Sequence, residues 1–489
     1  MTVRRVNPAG GDARAADGAG PGPDGSIGSD LHLELTGPGG RRASLMRALR
    51  EAIRTGRLTP GTRLPPYRSL SADLGIARNT VAEAYAELVA EGWLTARQGS
   101  GTRVAPRTAP PKPNPAPAVA APSPRTARPA YNLLQGQPDA GSFPRAAWLT
   151  SARRALTAAP TEAFGPGDPH GRPELREALA EYLARARGVR TDPARVVVCS
   201  GFAHGLRLLV QVLRGPMAVE AYGLAFHRGI LAAARMRTVP LAVDAEGART
   251  RDLAASGAKS VLLTPAHQFP TGGPLGPDRR AAVVDWARTT GGIVLEDDYD
   301  GEFRYDRQPV GAVQGLEPER VVYLGSVSKS LSPAVRLGWM VLPGPLVEQV
   351  VAAKGEREAT AGALDQLTLA DFIASGAYDR HVRRMRQHYR LRRDQLVAAL
   401  AERAPHIGVS GVAAGLHAVL ELPPGTESAA VRAAARHGLV LDGLAGYRHP
   451  DSAMDVQDGL VVGYGTPSDH AFSGALEALC RALPPAGGR

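Results

Sequence analysis

Between positions 297 and 336 the chain carries Asp297, Tyr299, Ser326, Ser328, Lys329 and Arg336. They offer a carboxylate, a phenol, two hydroxyls, an amine and a guanidinium. A lysine amine forms a Schiff base with an aldehyde. A buried carboxylate keeps a heteroaromatic nitrogen protonated, so that the ring withdraws electrons. A phenol hydrogen-bonds a ring hydroxyl. Serine hydroxyls and a forked guanidinium hold a phosphate.

Two short apolar runs must position this set. Ile293-Val294-Leu295 opens onto Glu296-Asp297-Asp298-Tyr299-Asp300, and Val321-Val322-Tyr323-Leu324 opens onto Gly325-Ser326-Val327-Ser328-Lys329-Ser330. Each reads as a buried strand with polar groups at its carboxyl end, where open α/β sheets place their ligands. The ligand that uses every group is pyridoxal 5'-phosphate. The competing reading is two ordinary strand-to-helix corners with a chance lysine. The two halves in this order resemble the signature of fold-type I aminotransferases, which implies Lys329 as the Schiff-base residue.

The 489 residues leave room for at least two domains, and an apolar content of 44% is ordinary for a globular chain. The net charge of +11 is compatible with an anionic partner. Cys199 and Cys480 are too few for a disulfide framework or a zinc site, which points to a reducing cytoplasm; no metal is expected. No apolar run has membrane-spanning length, and no signal-peptide core is found.

Residues 1–30, rich in Gly, Ala, Pro and Asp, read as a disordered tail. Leu31 to Leu35 alternates like a short extended arm. Residues 31–105 then give three helices, over Arg41–Thr55, Arg68–Leu74 and Ala77–Glu91, and two strands around Gln98-Gly99-Ser100-Gly101. The expected inward positions are Leu45, Leu49 and Ile53, then Val81, Tyr85, Leu88 and Val89. Three helices and a hairpin describe a winged helix-turn-helix. From Arg41 to Arg103 eleven arginines face five carboxylates, a net +6, which suits a phosphate backbone.

Leu64-Pro65-Pro66-Tyr67-Arg68-Ser69-Leu70 through Arg78-Asn79-Thr80-Val81, with Glu91-Gly92-Trp93-Leu94 and Gln98-Gly99-Ser100-Gly101-Thr102, resembles the GntR-type operator-binding domain. The resemblance implies double-stranded DNA as partner and Arg68, Arg78, Asn79, Thr80, Gln98, Ser100 and Thr102 as contacts. Pro66 stands where the family usually has a capping serine, a change that removes the side-chain cap and leaves the helix.

Residues 106–130 are proline-rich and read as a semi-rigid linker. Residues 131–489 alternate strand and helix, an α/β pattern with a mostly parallel sheet. A long helical region from Leu346 to Arg403 and a smaller α+β C-terminal subdomain follow. Ser200-Gly201-Phe202-Ala203-His204-Gly205 follows a strand and opens a helix, so its N–H groups can cradle a phosphate. Phe164–Gly171, Thr264–Gly272, Asp365-Gln366 and His381–Arg386 complete the set.

This arrangement resembles the MocR-type regulators: a GntR-like head, a linker and an aminotransferase-like body. The resemblance implies Asp297 at the pyridine nitrogen and Tyr299 at the ring hydroxyl. It implies Arg336, Ser326 and Ser328 at the phosphate with Gly201, Phe202 and Ala203 below it, and His267 among the cofactor residues. It also implies a head-to-tail homodimer. The chain departs from the pattern at Leu224, where a ring would stack on the cofactor; Tyr222 and Phe226 are the candidate replacements. Phe164 replaces a tyrosine, and no arginine stands beside Phe226 or beside Val461 and Val462 to take an effector carboxylate. His204, His227 and His267 read as packing or hydrogen-bonding residues rather than catalytic bases. The arginines of 383–393 read as a solvated or dimer-facing surface.

The function expected is a DNA-binding regulator that senses pyridoxal phosphate on Lys329, alone or with an amine or amino-acid effector, and is not a turnover enzyme. The alternatives are an aminotransferase with an attached DNA-binding head, and a body that serves only as a dimerisation scaffold.

Overall fold

The computed structural model describes residues 33, 35, 39–97, 101–106, 129–305, 310–355 and 361–486. The chain divides into two compact units, Met1–Thr126 and Ala127–Arg489.

The first unit holds α1 (Arg41–Arg54), α2 (Tyr67–Leu74), α3 (Arg78–Ala90) and the antiparallel strands β1 (Leu94–Arg97) and β2 (Gly101–Val104). Leu45, Leu49, Leu70, Val81, Ala84, Tyr85 and Leu88 form its core with Leu58, Leu94 and Val104. Ile53 and Val89, expected inside, lie at the edge of that core, and Ala52 and Ala84 take the central places. Alanine lets α1 and α3 approach where a branched side chain would hold them apart. Pro66 gives α2 no side-chain cap. Gly75 ends that helix in the left-handed region, φ 61°, which glycine adopts without strain.

The second unit begins with β3 (Tyr131–Asn132), α4 (Arg145–Ala158) and α5 (Pro173–Arg187). Then come β4 (Val196–Cys199), α6 (Phe202–Val212), β5 (Met217–Glu220), α7 (Ala225–Ala233) and β6 (Thr238–Leu241). A small hairpin, β7 (Val243–Asp244) with β8 (Gly247–Ala248), and the one-turn α8 (Leu253–Ser256) follow. Next are β9 (Ser260–Leu263), α9 (Pro277–Thr290), β10 (Ile293–Asp297), β11 (Val321–Ser326) and β12 (Gly338–Val341). Seven strands make one sheet in the order β4-β12-β11-β10-β9-β5-β6. β12 runs antiparallel to both neighbours and every other pair is parallel. Nearly every strand residue in the middle of the sheet is buried, as helices on both faces require.

β12 was not among the expected strands. Gly338-Trp339-Met340-Val341 is too short to show a period, and only its place between β11 and β4 makes it a strand. The expected single helical region from Leu346 to Arg403 is three helices: α10 (Gly344–Lys354), α11 (Ala363–Ala374) and α12 (Ala377–Arg403). Gly355 and Gly376, both at positive φ, interrupt it. The helix expected from Gly205 starts three residues earlier, at Phe202.

The C-terminal subdomain adds β13 (Gly408–Ser410), β14 (His417–Glu421), α13 (Glu427–Arg436), β15 (Leu439–Val440), β16 (Asp442–Gly443), β17 (Gly459–Gly463) and α14 (Asp469–Ala482). Its sheet runs β13-β14-β17-β16. β3 pairs with β15, so the start of the body is stitched onto its end. No described helix is long and apolar enough to cross a membrane.

Candidate cofactor pocket and nucleic-acid interface

The carboxyl ends of β4, β5, β9, β10 and β11 surround a cavity of about 210 Å³. Gly201, Phe202, Ala203, Asp297, Tyr299, Ser326, Ser328, Lys329 and Arg336 all line it. His267 does not; it stands behind Tyr299, whose hydroxyl lies 3.0 Å from its Nδ1. The sheet explains the convergence. β10 and β11 are parallel with Asp297 beside Leu324, so the residues that follow each strand emerge side by side.

Lys329 is partly buried, and its Nζ donates to the Gly136 carbonyl. Gly136 has φ +82°, and a Cβ there would crowd Nζ. Burial lowers the amine's proton affinity, and the charges of Asp297 and Asp300 work against that shift. A lysine so placed is biased toward its neutral, nucleophilic form. Asp297 is pushed up by burial first and by the neighbouring charge of Asp298 second; Lys329 opposes both. Burial likewise raises Tyr299.

The other end of the cavity suits an anion. Gly201, at φ +95°, precedes α6, and no side chain caps the first turn of that helix. A Cβ on Gly338 would collide with the Gly201 backbone, so β12 can reach the cradle only with glycine there. Arg336 sits at φ 55°, a left-handed conformation costly for arginine, and forms no ion pair among the described residues. Ser326 accepts from the Ser328 N–H at 3.4 Å. A phenol, a buried carboxylate and an amine at one end, with uncapped N–H groups, hydroxyls and an unpaired guanidinium at the other, fit the donor and acceptor set of pyridoxal phosphate.

The remaining motifs hold this set in place. His381 Nε2 donates to the Ser330 carbonyl at 2.7 Å and the Tyr378 hydroxyl to Ser330 Oγ at 2.8 Å, so α12 clamps the turn that carries Lys329. Gln366 Oε1 accepts from Arg172 N at 2.8 Å, and Lys354 Nζ donates to the carbonyls of Pro169 and Val198 at 2.6 and 2.7 Å. These contacts fix the loop 164–171. His267 Nδ1 lies 2.8 Å from Asp300 Oδ2; a carboxylate only accepts, which places the proton on Nδ1. The arginines of α12 do not act as one patch. Arg392 is buried against Asp469 and Asp139, whereas Arg383, Arg384 and Arg390 are exposed.

Around Leu224 the structure decides between the two candidate rings. Leu224 and the fully buried Tyr222 line the cavity; Phe226 is 57% exposed and lines a neighbouring depression instead. His227 also lines the cavity, its ring 4.4 Å from that of Phe202. Burial, then the charges of Lys329 and Arg228, push its pKa down to about 3, so it is a neutral imidazole at physiological pH.

Glu220 and Arg228 are polar cavity residues that escaped the sequence reading. Glu220, at the end of β5, accepts from Thr264 Oγ1 at 2.6 Å, and burial pushes its pKa up to about 7. Arg228 lines the cavity, and its NH1 donates to the Gly223 and Tyr447 carbonyls at 2.7 and 3.0 Å. Its NH2 donates to Arg448 O at 3.2 Å. Carbonyls alone surround this cation, and no carboxylate pairs with it among the described residues. Arg228 stands two residues after Phe226, where no effector arginine was expected, and the loop 444–448 that orients it lies more than two hundred residues away.

In the head, Arg68, Arg78 and Asn79 are exposed, and Thr80 and Thr102 partly so. Arg78, Asn79 and Thr80 occupy the first turn of α3. The Arg68 and Arg78 guanidinium groups form no ion pair among the described residues, whereas Arg42 lies near Glu83 and Glu87 and Arg50 pairs with Glu91. Arg68 and Arg78 thus stand on α2 and at the start of α3 without an ion pair among the described residues. Gln98 and Ser100 lie outside the described residues.

A winged helix-turn-helix joined to a fold-type I aminotransferase-like body defines the class. Residues 42–104 match the bacterial regulatory proteins of the gntR family, and residues 129–445 match aminotransferase class I and II. The pyridoxine biosynthesis regulator PdxR of Corynebacterium glutamicum is 32% identical over 90% of this chain and 95% of its own. The regulator TauR of Rhodobacter capsulatus is 31% identical over 91% and 98%. The probable rhizopine catabolism regulator MocR of Rhizobium meliloti is 34% identical over 72% and 76%. The body superposes on Pyrococcus horikoshii kynurenine aminotransferase with a TM-score of 0.66 at 24% identity, covering 73% of this chain and 91% of that one. The chain belongs to the MocR-type branch of the gntR family of transcriptional regulators, with an aminotransferase-like body.

Proposed function

We propose that this chain is a transcriptional regulator whose body senses pyridoxal 5'-phosphate through Lys329, alone or with an amine or amino-acid effector, and whose head reads a DNA operator. The observation that carries the reading is the meeting of Asp297, Tyr299, Lys329 and Arg336 in one cavity at the strand ends. Bound there, the cofactor supplies an aldehyde carbonyl and an electron-withdrawing ring. Asp297 holds the proton of the ring nitrogen, and Tyr299 hydrogen-bonds the ring hydroxyl. Ser326, Ser328, Arg336 and the first turn of α6, at Gly201, Phe202 and Ala203, take the phosphate. His267 steadies the Tyr299 phenol. Lys329 would be the amine that holds the cofactor's carbonyl, and an amine effector would compete with it for that carbonyl. Arg228 offers a carboxylate-bearing effector the charge that the sequence alone seemed to lack.

Arg68, Arg78, Asn79, Thr80, Gln98, Ser100 and Thr102 meet the operator. Two heads on a head-to-tail homodimer require a paired operator. Ligand shifts the heads only through different affinity for two arrangements of the dimer. The domain limits proposed are a head at 31–105 and a body at 131–489, with 106–130 as linker. The alternative, an aminotransferase with an attached head, has Arg228 in its favour. Purified protein incubated with pyridoxal phosphate tests both. A visible absorbance band that Lys329→Ala abolishes supports the sensor. Sustained oxo-acid production from an amino-acid donor would move the assignment to an enzyme.

A further inference from the structure

Asp297 and Asp298 are adjacent, and an extended backbone sends them to opposite faces. Asp297 lines the cavity. Asp298 points the other way and is buried, its carboxylate gripped by Arg187, with Nε 2.6 Å from Oδ2 and the second terminal nitrogen 2.9 Å from Oδ1. The Tyr323 hydroxyl donates to the same Oδ2 at 2.7 Å. Arg187, the last residue of α5, also donates to Val310 O at 3.1 Å. A Cβ on Gly301 would overlap both partners, so the chain leaves room for this pair. Nothing in the sequence reading or in the cofactor site uses it.

We propose that Arg187 and Asp298 form a positioning pair: they pin the strand end that presents Asp297 and Tyr299, and they place a cancelled charge directly behind the cofactor-facing carboxylate. The proposal rests on the cofactor reading above. The pair lies on the side of β10 away from the cavity. Glu296 and Arg280 lie beside it, with Glu302 and Tyr323 facing it and Tyr182 and Tyr378 beyond. On the cavity side the charged and titratable groups are Asp297, Glu220, Tyr299, His227, Lys329, Arg228 and Arg336, with Asp300 also acting on Asp297. Cancellation matters because an unpaired Asp298 charge disfavours ionised Asp297, the direction already seen.

The test uses full-length protein loaded with pyridoxal phosphate and reads the pH midpoint of its visible band. Arg187→Met leaves a bare carboxylate, which stabilises every nearby protonated form and raises the midpoint by roughly half to one pH unit. Asp298→Asn leaves a bare guanidinium and lowers it by a similar amount. The double variant returns it close to the parent value. Circular dichroism checks that each variant folds. If Arg187→Met does not fold, the lowered midpoint of Asp298→Asn and its recovery in the double variant carry the test. Shifts of the same sign, or no shift in folded variants, overturn this inference while leaving the cofactor reading intact. Absence of the band in the parent protein overturns both.

Discussion

The head and the body carry charge in opposite ways. In the head Arg68 and Arg78, the proposed operator contacts, are exposed and have no acidic partner among the described residues. In the body several buried charges are compensated by a partner: Arg187 with Asp298, Arg392 with Asp469, His267 with Asp300. Under the proposed function the difference follows from the ligand. A DNA backbone is met at a wet surface, where salt screens each contact and many weak ones add up. A small molecule held through a covalent bond needs a dry site, where an uncompensated charge is costly.

The sharpest way to break this contrast is Lys329→Ala. It removes the only lysine amine in the cavity lining among the described residues and should abolish the visible band entirely while the melting curve stays cooperative; a surviving band would place the attachment elsewhere. Next comes Gly171→Ala. Gly171 has φ +106°, and a Cβ there would press on Val198 and Gln366, so the body should lose on the order of 2–4 kcal/mol in denaturant titration. Unchanged stability would mean that the loop relaxes freely. In the head, Arg78→Ala should weaken operator binding by about 1–3 kcal/mol and flatten its salt dependence, whereas Arg42→Ala, near Glu83 and Glu87, should change little. Equal losses in a mobility-shift assay would dissolve the distinction between free and paired arginines.

The smallest effect is a pH dependence. Burial raises the Glu220 pKa to about 7, above its ordinary 4.5. The protonated carboxyl therefore contributes stability that is full below pH 4.5 and is lost as pH rises through about 7. Glu220→Gln keeps a neutral side chain at every pH. Relative to the parent it should gain on the order of 1 kcal/mol between pH 5 and pH 8. A constant difference across that range would show that Glu220 is ionised throughout.

Much of the site was legible because its parts are local. Asp297, Tyr299, Ser326, Ser328, Lys329 and Arg336 follow two buried apolar runs, and strand ends deliver such residues to one place. The phosphate cradle at Gly201 to Ala203 was legible for the same reason. Leu224 could be flagged, but which ring stands near it could not. Tyr222 and Phe226 lie four residues apart in one short segment, and only the start of α7 between them decides that one is buried and the other exposed.

By itself the sequence determined the two-part organisation, the helices and wing of the head, the alternating body and the place of Lys329 after a buried strand, since each rests on patterns a few residues long. Tertiary structure alone decided the antiparallel β12, the breaks in the long helical region, the cavity-facing Arg228 and the Arg187–Asp298 pair. Those partners stand 111 residues apart in the chain, and Lys329 finds Gly136 across 193. Periodicity carries no information over such separations; the sheet order does, because it fixes which chain segments meet at the strand ends.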